Sequence, residues 1–485
     1  MVLISATLSH ADEPKTQPNV IVFYADDLGW KDLSVYGSGF YETPHLDRLA
    51  EEGMLFTDAY SSSPVCSPAR AALLTGQAPP RVGITDWIGG NDRQSKRNLS
   101  TQRNYMMMPA PQETELRDGT VTFADAFSEA GYATYFLGKW HVGDPEKGYG
   151  PTDHGFDVNV AGTVRGGPYG RGNYFHPFDM PNLDSQPGDH LADRMAEVAG
   201  ELIRSTEDQP FMMFFSFYDV HTPLMTTPEL REKYRAKREE LGIEGPRFRP
   251  EPPRQDRRVQ DHAVYAGMIE TMDAAVGTVL ASLEAQGLAD DTIIIFSSDH
   301  GGLSTSEGSP TSNAPLRAGK GWMYEGGLRV PLIIRWPGVV EGGGVSNVPT
   351  IGTDLFPTML EMAGLPARPE DHVDGRSIVP VLKGDDAIDR EAIFWHYPHY
   401  GNQGGAPTSA VRIGDWKLIE SFEDGRLELY NLADDLGEQK NLVDDQPSRA
   451  EAMHERLKAW RETVDAKYPT PNPDYDAELG RKDQQ

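Results

Sequence analysis

The sequence predicts an α/β protein built on a large, mostly parallel mixed sheet sandwiched by helices, followed by a smaller α+β subdomain with an antiparallel sheet. Over the first two-thirds of the chain, short apolar runs alternate with helical patterns, which is typical of a parallel sheet. Several of these runs end abruptly in charged or imidazole side chains. After about residue 366 the pattern changes to closely spaced short strands. We therefore predict a leading segment at residues 1–18, a main domain at 19–365 and a carboxyl-terminal subdomain at 366–485.

Four of the predicted strands of the main domain lead directly into polar residues. They are "NVIVFYADDLGW", "YATYFLGKWHVG", "PFMMFFSFYDVHTP" and "DTIIIFSSDHGG". In open α/β sheets, ligands bind outside the carboxyl ends of the strands. We therefore expect a site at one edge of the sheet, formed by the residues that follow these strands: Asp26, Asp27, Lys139, His141, His221, Asp299 and His300.

Helical patterns lie between the strands, and they predict the layers that cover the sheet. Examples are "PHLDRLAEEGMLF", "TVTFADAFSEAG" and "VYAGMIETMDAAVGTVLASLEAQG". Three segments fit neither pattern: residues 86–115, the glycine-rich "GTVRGGPYGRGNYFHPF" and residues 231–258. We interpret them as long surface insertions, which more often carry function than not, with disorder as the alternative.

The carboxyl-terminal subdomain is predicted from short strand candidates and a closing helix. The strand candidates are "AIFWHYP", "AVRIGDWKLIE" and "RLELYNL", and the helix surrounds "RAEAMHERLKAWRETV". Their close spacing favours an antiparallel sheet.

The charge of the chain excludes some classes of partner. The 485 residues include 45 basic and 74 acidic side chains, so the formal net charge is −29. This argues against nucleic acid or an anionic membrane as the main partner. A small anionic substrate remains compatible, because charges beyond a Debye length of about 8 Å are largely screened at physiological salt. No membrane span is expected, since no run approaches the roughly 18 apolar residues that one requires.

The leading segment "MVLISATLSHADEPKTQP" partly matches a secretory signal. An apolar stretch is followed by the small residues Ser9 and Ala11, although the usual positively charged start is missing. We expect a periplasmic or secreted protein, with a disordered amino-terminal tail as the alternative.

The chain has one cysteine, Cys66, so an intrachain disulfide is excluded and the thiol is either inert and buried or chemically active.

Three carboxylates among the strand-end residues suggest a metal site. Asp26, Asp27 and Asp299 offer hard oxygen ligands that suit Ca²⁺ or Mg²⁺ and would repel one another without a cation. For any one of them, the alternative is a loop or helix cap. The imidazole of His300 can also bind a metal, although it is a softer ligand than oxygen, and a hydrogen bond to the substrate is its alternative role.

The stretch from Cys66 to Arg70, "CSPAR" followed by "AALLTG", resembles the signature of type I, formylglycine-dependent sulfatases of the alkaline phosphatase-like superfamily. The resemblance covers nearly the whole chain, since "NVIVFYADDLGW", "GKWHVG", "SSDHGG", "GKGWMYEGGLRVPLIIRWPG", "DLFPTMLEMAGL" and "IGDWKLI" follow in the expected order. It implies the fold of that family, a catalytic domain at 19–365, and hydrolysis of sulfate monoesters. It also implies that a formylglycine-generating or equivalent maturation enzyme converts Cys66, and that Ca²⁺, rather than Mg²⁺, is held by Asp26, Asp27, Cys66, Asp299 and His300.

The resemblance also implies roles for the other polar residues. One hydroxyl of the aldehyde hydrate would attack sulfur, and the other would allow sulfate to be expelled as the aldehyde re-forms. Arg70 would orient the hydrate, and Lys139 and Lys320 would bind the sulfate oxygens. His221 would protonate the leaving alcohol and His141 would assist the second step. For an isolated Lys the alternative is a solvated surface charge, and for an isolated His it is a structural role.

The alcohol that carries the sulfate is predicted to be a sugar, of which a galactan-type glycan is one candidate. The stretch "FWHYPHYGNQGGAPTSAVRIGDWK" mixes aromatic and directed polar side chains, as a sugar site requires. A packed antiparallel strand with an exposed turn is the alternative. The candidate substrate-binding residues are His396, His399 and Arg412 in this stretch and Arg165 and His176 in the glycine-rich insertion. A phosphonate monoester or phosphodiester hydrolase and a non-catalytic glycan-binding relative are the alternative functions.

Overall fold

The computed structural model describes residues 17–89, 103–206 and 209–479. The predicted signal segment, except its last two residues, and part of the 86–115 insertion lie outside these ranges. In the described residues the helices are α1 (Pro44–Glu51), α2 (Cys66–Thr75), α3 (Pro79–Val82), α4 (Phe123–Glu129), α5 (Leu191–Ser205), α6 (Pro228–Glu240), α7 (Ala263–Ala285), α8 (Glu325–Leu328), α9 (Leu355–Met362), α10 (Val379–Leu382) and α11 (Pro447–Thr463). The strands are β1 (Asn19–Ala25), β2 (Met54–Phe56), β3 (Ala59–Tyr60), β4 (Met107–Met108), β5 (Ala133–Gly138), β6 (Val158–Val160), β7 (Phe211–Ser216), β8 (Phe248–Glu251), β9 (Arg254–Arg257), β10 (Thr292–Ser298), β11 (Leu332–Arg335), β12 (Gly344–Ser346), β13 (Thr350–Ile351), β14 (Ile393–Tyr397), β15 (Thr408–Ile413), β16 (Trp416–Ser421), β17 (Leu427–Asn431) and β18 (Thr470–Pro471).

The main domain is organised around an 8-stranded sheet in the order β12-β2-β11-β10-β1-β7-β5-β6. The pairs β10/β1, β1/β7, β7/β5 and β5/β6 are parallel. Strand β11 is antiparallel to both of its neighbours, β10 and β2. The sheet is therefore mixed but mostly parallel, as the sequence predicts.

Both faces of this sheet are covered, which explains why its central strands are almost continuously apolar. In β1, Ile21 and Phe23 point into one core and Val20 and Val22 into the other, following the period of two that a strand imposes. Helices α1, α5 and α7 contribute to the first core. Helices α2, α4, α9 and α10 contribute to the second. The predicted sandwich of helices around the sheet is confirmed.

The carboxyl-terminal sheet is antiparallel, with four strands in the order β14-β15-β16-β17, as predicted. One of its faces packs against α11 through residues such as Leu418 and Leu457. The other packs against the main domain, where Trp395 and Ile419 share a core with Tyr60 and Val65. Because Val65 precedes Cys66, this second sheet supports the segment that leads into the cysteine at the start of α2.

Two features refine the predicted organisation. Residues 231–258 are not an irregular insertion, because they continue α6 and then form the antiparallel pair β8–β9. Helix α10, although it lies beyond residue 366, packs in the core of the large sheet, and the small sheet begins only at Ile393. A domain boundary at 365 stays a prediction. In the described residues, no helix combines the length and hydropathy needed to span a membrane.

Candidate active site

Four adjacent parallel strands, β10, β1, β7 and β5, end at the same edge of the large sheet. Asp26 and Asp27 follow β1, Lys139 follows β5, and Asp299 follows β10. The loop after β7 supplies His221. These polar residues are all buried, so the edge is an enclosed site and not a solvated rim.

A carboxylate cluster forms the deepest part of this site. Ligand atoms of Asp26, Asp27, Asp299 and His300 lie within 4.8 Å of one another, and all four residues are fully buried. Asp27 adopts a left-handed φ of 63°, a conformation that non-glycine residues seldom take and that recurs at functional sites. The buried atoms Asp26 Oδ1, Asp27 Oδ2 and His300 Nε2 make no hydrogen bond. Unsatisfied acceptors of this kind fit a divalent cation, and three carboxylates supply the oxygen ligands it prefers.

The electrostatics of the cluster show how strongly its carboxylates are crowded. Burial raises the pKa of Asp26 well above its usual value, against the opposing charge of Lys139. Burial also acts to raise the pKa of Asp299, but the neighbouring His300 and Arg70 outweigh it and hold that pKa well below its usual range. A cation among these atoms would offset the repulsion between the carboxylates.

Three buried cations surround the carboxylates. Lys139 Nζ donates to Asp26 Oδ2 at 2.6 Å, and Lys320 Nζ donates to Asp27 Oδ1 at 2.7 Å. Arg70 donates to Asp299 Oδ2 from Nη2 at 2.9 Å and from Nε at 3.2 Å. The remaining Arg70 nitrogen, Nη1, donates to Ser216 Oγ at 2.5 Å and to the Lys139 carbonyl at 3.1 Å. Arg70 therefore ties the ends of three strands together.

Cys66 is the first residue of α2 and is buried beside the carboxylates. Pro68 fits in the first turn of this helix, where backbone N–H groups have no helical partner, and Gly76 ends the helix in the left-handed conformation. Ligand atoms of Cys66, Asp299 and His300 lie within 4.8 Å of one another. Burial acts to raise the pKa of the thiol, but Lys139 and His141 outweigh it and hold the pKa well below its usual value. The position favours a negatively charged group.

Two histidines flank the cysteine, and each has one ring nitrogen fixed by a carbonyl group. His141 Nε2 donates to the Ile88 carbonyl at 2.7 Å. His221 Nδ1 donates to the Thr222 carbonyl at 2.7 Å, and its Nε2 lies 3.8 Å from Asp27 Oδ2. Burial, together with the nearby Lys320 and Lys139, lowers the pKa of His221 well below its usual value. Since a carbonyl only accepts, Nε2 of His221 can carry a proton only when the ring is a cation.

A cavity of about 430 Å³ opens above these residues. Cys66, His141, His221 and Lys320 are in its lining, so these four predicted catalytic residues face a space large enough for a small substrate, whereas Arg70 and Lys139 are buried outside the lining. The rest of the lining combines apolar, aromatic and polar groups, including Trp87, Ile88, Arg165, Tyr169, Glu307, Asn402 and Gln403.

Comparison with known proteins assigns this arrangement to a family. Residues 18–365 match the family model described as Sulfatase. The chain belongs to the sulfatase family. Residues 318–463 also match the model described as N-sulphoglucosamine sulphohydrolase, C-terminal. The predicted family is thereby confirmed, and with it the assignment of the chain as a sulfuric ester hydrolase.

Relatives of this sulfatase align along most of their length. It is 33% identical to a sulfatase of Formosa agariphila, over 95% of this chain and 92% of that protein. It is 31% identical to the N-acetylgalactosamine-6-sulfatase of Canis lupus familiaris, over 86% and 74% of the two chains. The solved structure of Ps i-CgsB in complex with k-i-k-neocarrahexaose superposes with a TM-score of 0.74 at 24% identity, covering 96% of this chain and 94% of that one, which shows a shared fold.

Of the five residues predicted to bind substrate, the sulfatase brings only Arg165 into the cavity lining. Its guanidinium pairs with Asp179 at 2.8 Å and donates to the Tyr169 carbonyl, so the side chain is held at the rim by its own insertion. His176 does not line the cavity and instead shares a hydrogen bond of 2.9 Å with Ser185 Oγ.

The three candidates from the carboxyl-terminal stretch are buried away from this cavity, contrary to the prediction. His396 Nδ1 contacts Ser409 Oγ at 2.6 Å and Nε2 donates to the Lys467 carbonyl at 2.9 Å, and burial lowers the pKa of His396 to about 4. His399 Nε2 lies 2.8 Å from a threonine hydroxyl, that of Thr85. The guanidinium of Arg412 pairs with a main-domain carboxylate, Asp58, at 2.8 Å. His399 and Arg412 join the carboxyl-terminal subdomain to the main domain, whereas His396 is held within the subdomain itself.

Other lining residues of the sulfatase cavity were not singled out by sequence reasoning. Four of them lie within segments that the sequence predicts to be irregular or to face the substrate: Trp87, Tyr169, Asn402 and Gln403. A fifth, Glu307, follows the strand end "SSDHGG". The sequence offered one signal for Glu307: it is a carboxylate that follows the predicted metal ligand His300 by a few residues.

Proposed function

We propose that this sulfatase removes sulfate from a sulfated carbohydrate, using a formylglycine formed from Cys66 and a bound Ca²⁺. The observation that carries the proposal is the position of Cys66, which lines the cavity, lies within 4.8 Å of ligand atoms of Asp299 and His300, and has its thiol pKa lowered by Lys139 and His141. A sugar is favoured as the alcohol because aromatic and polar side chains line the cavity together. The relative named N-acetylgalactosamine-6-sulfatase supports the same class of substrate.

The residues present fit a calcium ion. Four residues would hold it, with the converted side chain at position 66 beside them: Asp26, Asp27, Asp299 and His300. Three carboxylates suit Ca²⁺ better than Mg²⁺, because Mg²⁺ is usually bound through one or two carboxylates and keeps several waters. When bound, the ion would supply positive charge for a sulfate oxygen. We propose His300 as a ligand because its Nε2 is buried, makes no hydrogen bond and lies 3.2 Å from Asp27 Oδ1 and 3.4 Å from Asp299 Oδ1.

The formylglycine hydrate would supply a hydroxyl nucleophile, which divides hydrolysis into two easier steps. Arg70 fixes Asp299 through two hydrogen bonds and lies 3.7 Å from Asp26 Oδ1, so it keeps the carboxylates in place beside that nucleophile. We propose that this positioning is the role of Arg70, together with orienting the hydrate.

Lys139 and Lys320 would bind the oxygens of the transferring sulfate. Both ammonium groups are buried next to carboxylates, so they are held in place before the substrate arrives. Sulfuryl transfer, like phosphoryl transfer, has a loose transition state, and fixed cations around its oxygens account for most of the rate.

His221 would protonate the leaving alcohol from Nε2. In the free site, burial and the two lysines lower the pKa of His221 and disfavour the cationic ring. A sulfate ester between those lysines offsets their charge and favours protonation, so the acid forms when the substrate is bound. His141, with Nε2 fixed by the Ile88 carbonyl, would direct Nδ1 toward position 66 and move a proton there in the second step.

Mass spectrometry and sulfate release together test this function. The peptide spanning Cys66 should carry the mass of formylglycine, and the protein should release sulfate from at least one sulfated galactose, glucosamine or uronate oligosaccharide. Faster turnover of an aryl phosphonate than of the aryl sulfate would instead favour a phosphonate hydrolase. Tight oligosaccharide binding by fully converted protein, without sulfate release, would favour a glycan-binding relative.

We also propose that a formylglycine-generating or equivalent enzyme converts Cys66. We further propose that the protein is exported, as the partial signal at residues 1–18 indicates. Amino-terminal sequencing of the mature native protein would show cleavage near Ala11. An intact Met1 would argue against export by this signal.

A further inference from the structure

One carboxylate in the cavity lining is not used by the chemistry described above. Glu307 lines the cavity together with Lys320 and His221. Ligand atoms of Asp27, His221 and Glu307 lie within 4.8 Å of one another. Glu307 therefore lies next to the histidine from which the alcohol would receive its proton.

The side chain of Glu307 is held by two amide groups. Its Oε1 accepts from Asn402 Nδ2 at 2.9 Å and from Gln403 Nε2 at 2.8 Å. Its Oε2 lies 3.4 Å from Thr222 Oγ1, which is a long hydrogen bond. Oε2 thus keeps the capacity to accept a hydrogen bond from a ligand in the cavity.

The loop that supplies these amides is fixed to the segment that carries Lys320. The Gln403 carbonyl accepts from Trp322 Nε1 at 2.9 Å and from Thr305 Oγ1 at 3.0 Å. A Cβ at Gly405 would lie 1.8 Å from the carbonyl oxygen of Gly321, so only glycine permits this close approach. The position of Glu307 relative to the lysine is therefore set before substrate binds.

The charges around the cavity give Glu307 a role in selecting the substrate. Lys320 in the lining and the fully buried Lys139 would attract the sulfate that is removed, whereas Glu307 would place a negative charge beside the alcohol. A hydroxyl group next to the ester can donate to Oε2. A second sulfate or a carboxylate at that position would meet a like charge, which costs binding energy.

We infer that Glu307 is a specificity-determining residue that selects sugars carrying a hydroxyl, and not a second anionic group, next to the scissile ester. The inference rests on the proposed carbohydrate sulfatase function. It assigns Asn402 and Gln403 as positioning residues, since they act through the carboxylate.

The test compares kcat/KM for three substrates. They are an aryl sulfate, the monosulfated sugar that the wild-type protein cleaves best in a positional panel, and the same sugar with a second sulfate on the adjacent carbon. The aryl sulfate normalises each preparation for conversion of Cys66. The variants are Glu307→Gln, which removes the charge and keeps the shape, and Asn402→Ala, which keeps the charge and removes one amide. Glu244→Gln, an exposed acid in another loop, is the matched control.

We expect the wild-type protein to prefer the monosulfated sugar. Glu307→Gln should reduce that preference by about tenfold, as expected for loss of a hydrogen bond to a charged group and of a like-charge repulsion at a partly buried residue. Asn402→Ala should reduce it by a smaller factor, and Glu244→Gln should leave it unchanged.

An unchanged preference in Glu307→Gln, with sugar sulfate still released, would overturn the role of Glu307 alone. Equal losses on all three substrates would overturn it in the same way, since normalisation to the aryl sulfate then leaves the preference unchanged. Failure of the wild-type protein to act on any sugar while it turns over the aryl sulfate would overturn the proposed carbohydrate function as well.

Discussion

Replacing His221 with Ala should slow the cleavage of a sugar sulfate far more than that of a nitrophenyl sulfate. His221 Nδ1 is held by the Thr222 carbonyl at 2.7 Å, which directs Nε2 into the cavity, 3.8 Å from Asp27 Oδ2. A sugar alkoxide is a poor leaving group and needs that proton in the transition state, whereas nitrophenolate leaves without it. General acid catalysis contributes about 10²- to 10⁴-fold, so we expect a loss of about 3–5 kcal/mol in transition-state stabilisation for the sugar. For the nitrophenyl ester we expect a loss below about tenfold.

The assay measures kcat/KM for both esters with wild-type and variant protein matched for formylglycine content. The ratio of the two losses is the diagnostic quantity, because a misfolded or unconverted fraction lowers both equally. His141→Ala provides a contrast, since loss of a residue that assists only the second step should lower kcat and leave kcat/KM for both esters nearly unchanged. Equal losses for the two esters in the His221 variant would refute its role as the general acid.

Three further predictions concern the nucleophile, the metal and the contact between the two sheets. Cys66→Ala should abolish sulfate release while the melting temperature stays within a few degrees, because alanine is a strong helix former at the start of α2; residual turnover above background would contradict the nucleophile assignment. Excess chelator should suppress activity and lower the melting temperature, since a metal at about 100 times its Kd contributes about 2.7 kcal/mol of stability, and added Ca²⁺ should restore both; full activity and an unchanged melting temperature would argue against a bound metal. Lys417→Met should lower the free energy of unfolding by about 3–5 kcal/mol, because it leaves two buried carboxylates without their shared cation. Lys417 Nζ lies 2.9 Å from both Glu325 and Glu438, and the exposed Lys440→Met is the control; equal stability of the two variants in thermal unfolding would contradict this.

The arrangement of the strand ends could be predicted from the sequence because the signal is local. An apolar strand buried on both faces must stop where charged residues begin, so Asp26, Lys139 and Asp299 mark the ends of β1, β5 and β10. Parallel strands then bring these ends to one edge of the sheet. Neither inference requires knowledge of distant contacts.

The substrate-binding residues could not be predicted in the same way, because their roles depend on which surface each strand face meets. In β14, Trp395 and Tyr397 pack against the main domain, and the intervening His396 points to the opposite side, where Ser409 and the Lys467 carbonyl satisfy its ring. The alternation of a strand shows that neighbouring residues face opposite ways, and it does not show whether either face meets solvent. The residues of this stretch that line the cavity, Asn402 and Gln403, come from its turn and were not among the candidates.

The groups that would perform the chemistry and the group that would select the substrate are held by different parts of the fold. Asp26, Asp27 and Asp299 are fixed by strand ends and by buried cations within the main domain. Glu307 is fixed by amides from the turn after β14, which belongs to the small sheet. Substitutions in that turn can therefore move Glu307, and change which sugar is accepted, while the carboxylates that surround Cys66 keep their positions. The close approach of Gly405 to Gly321 limits this freedom, because a larger residue there would displace the segment that carries Lys320.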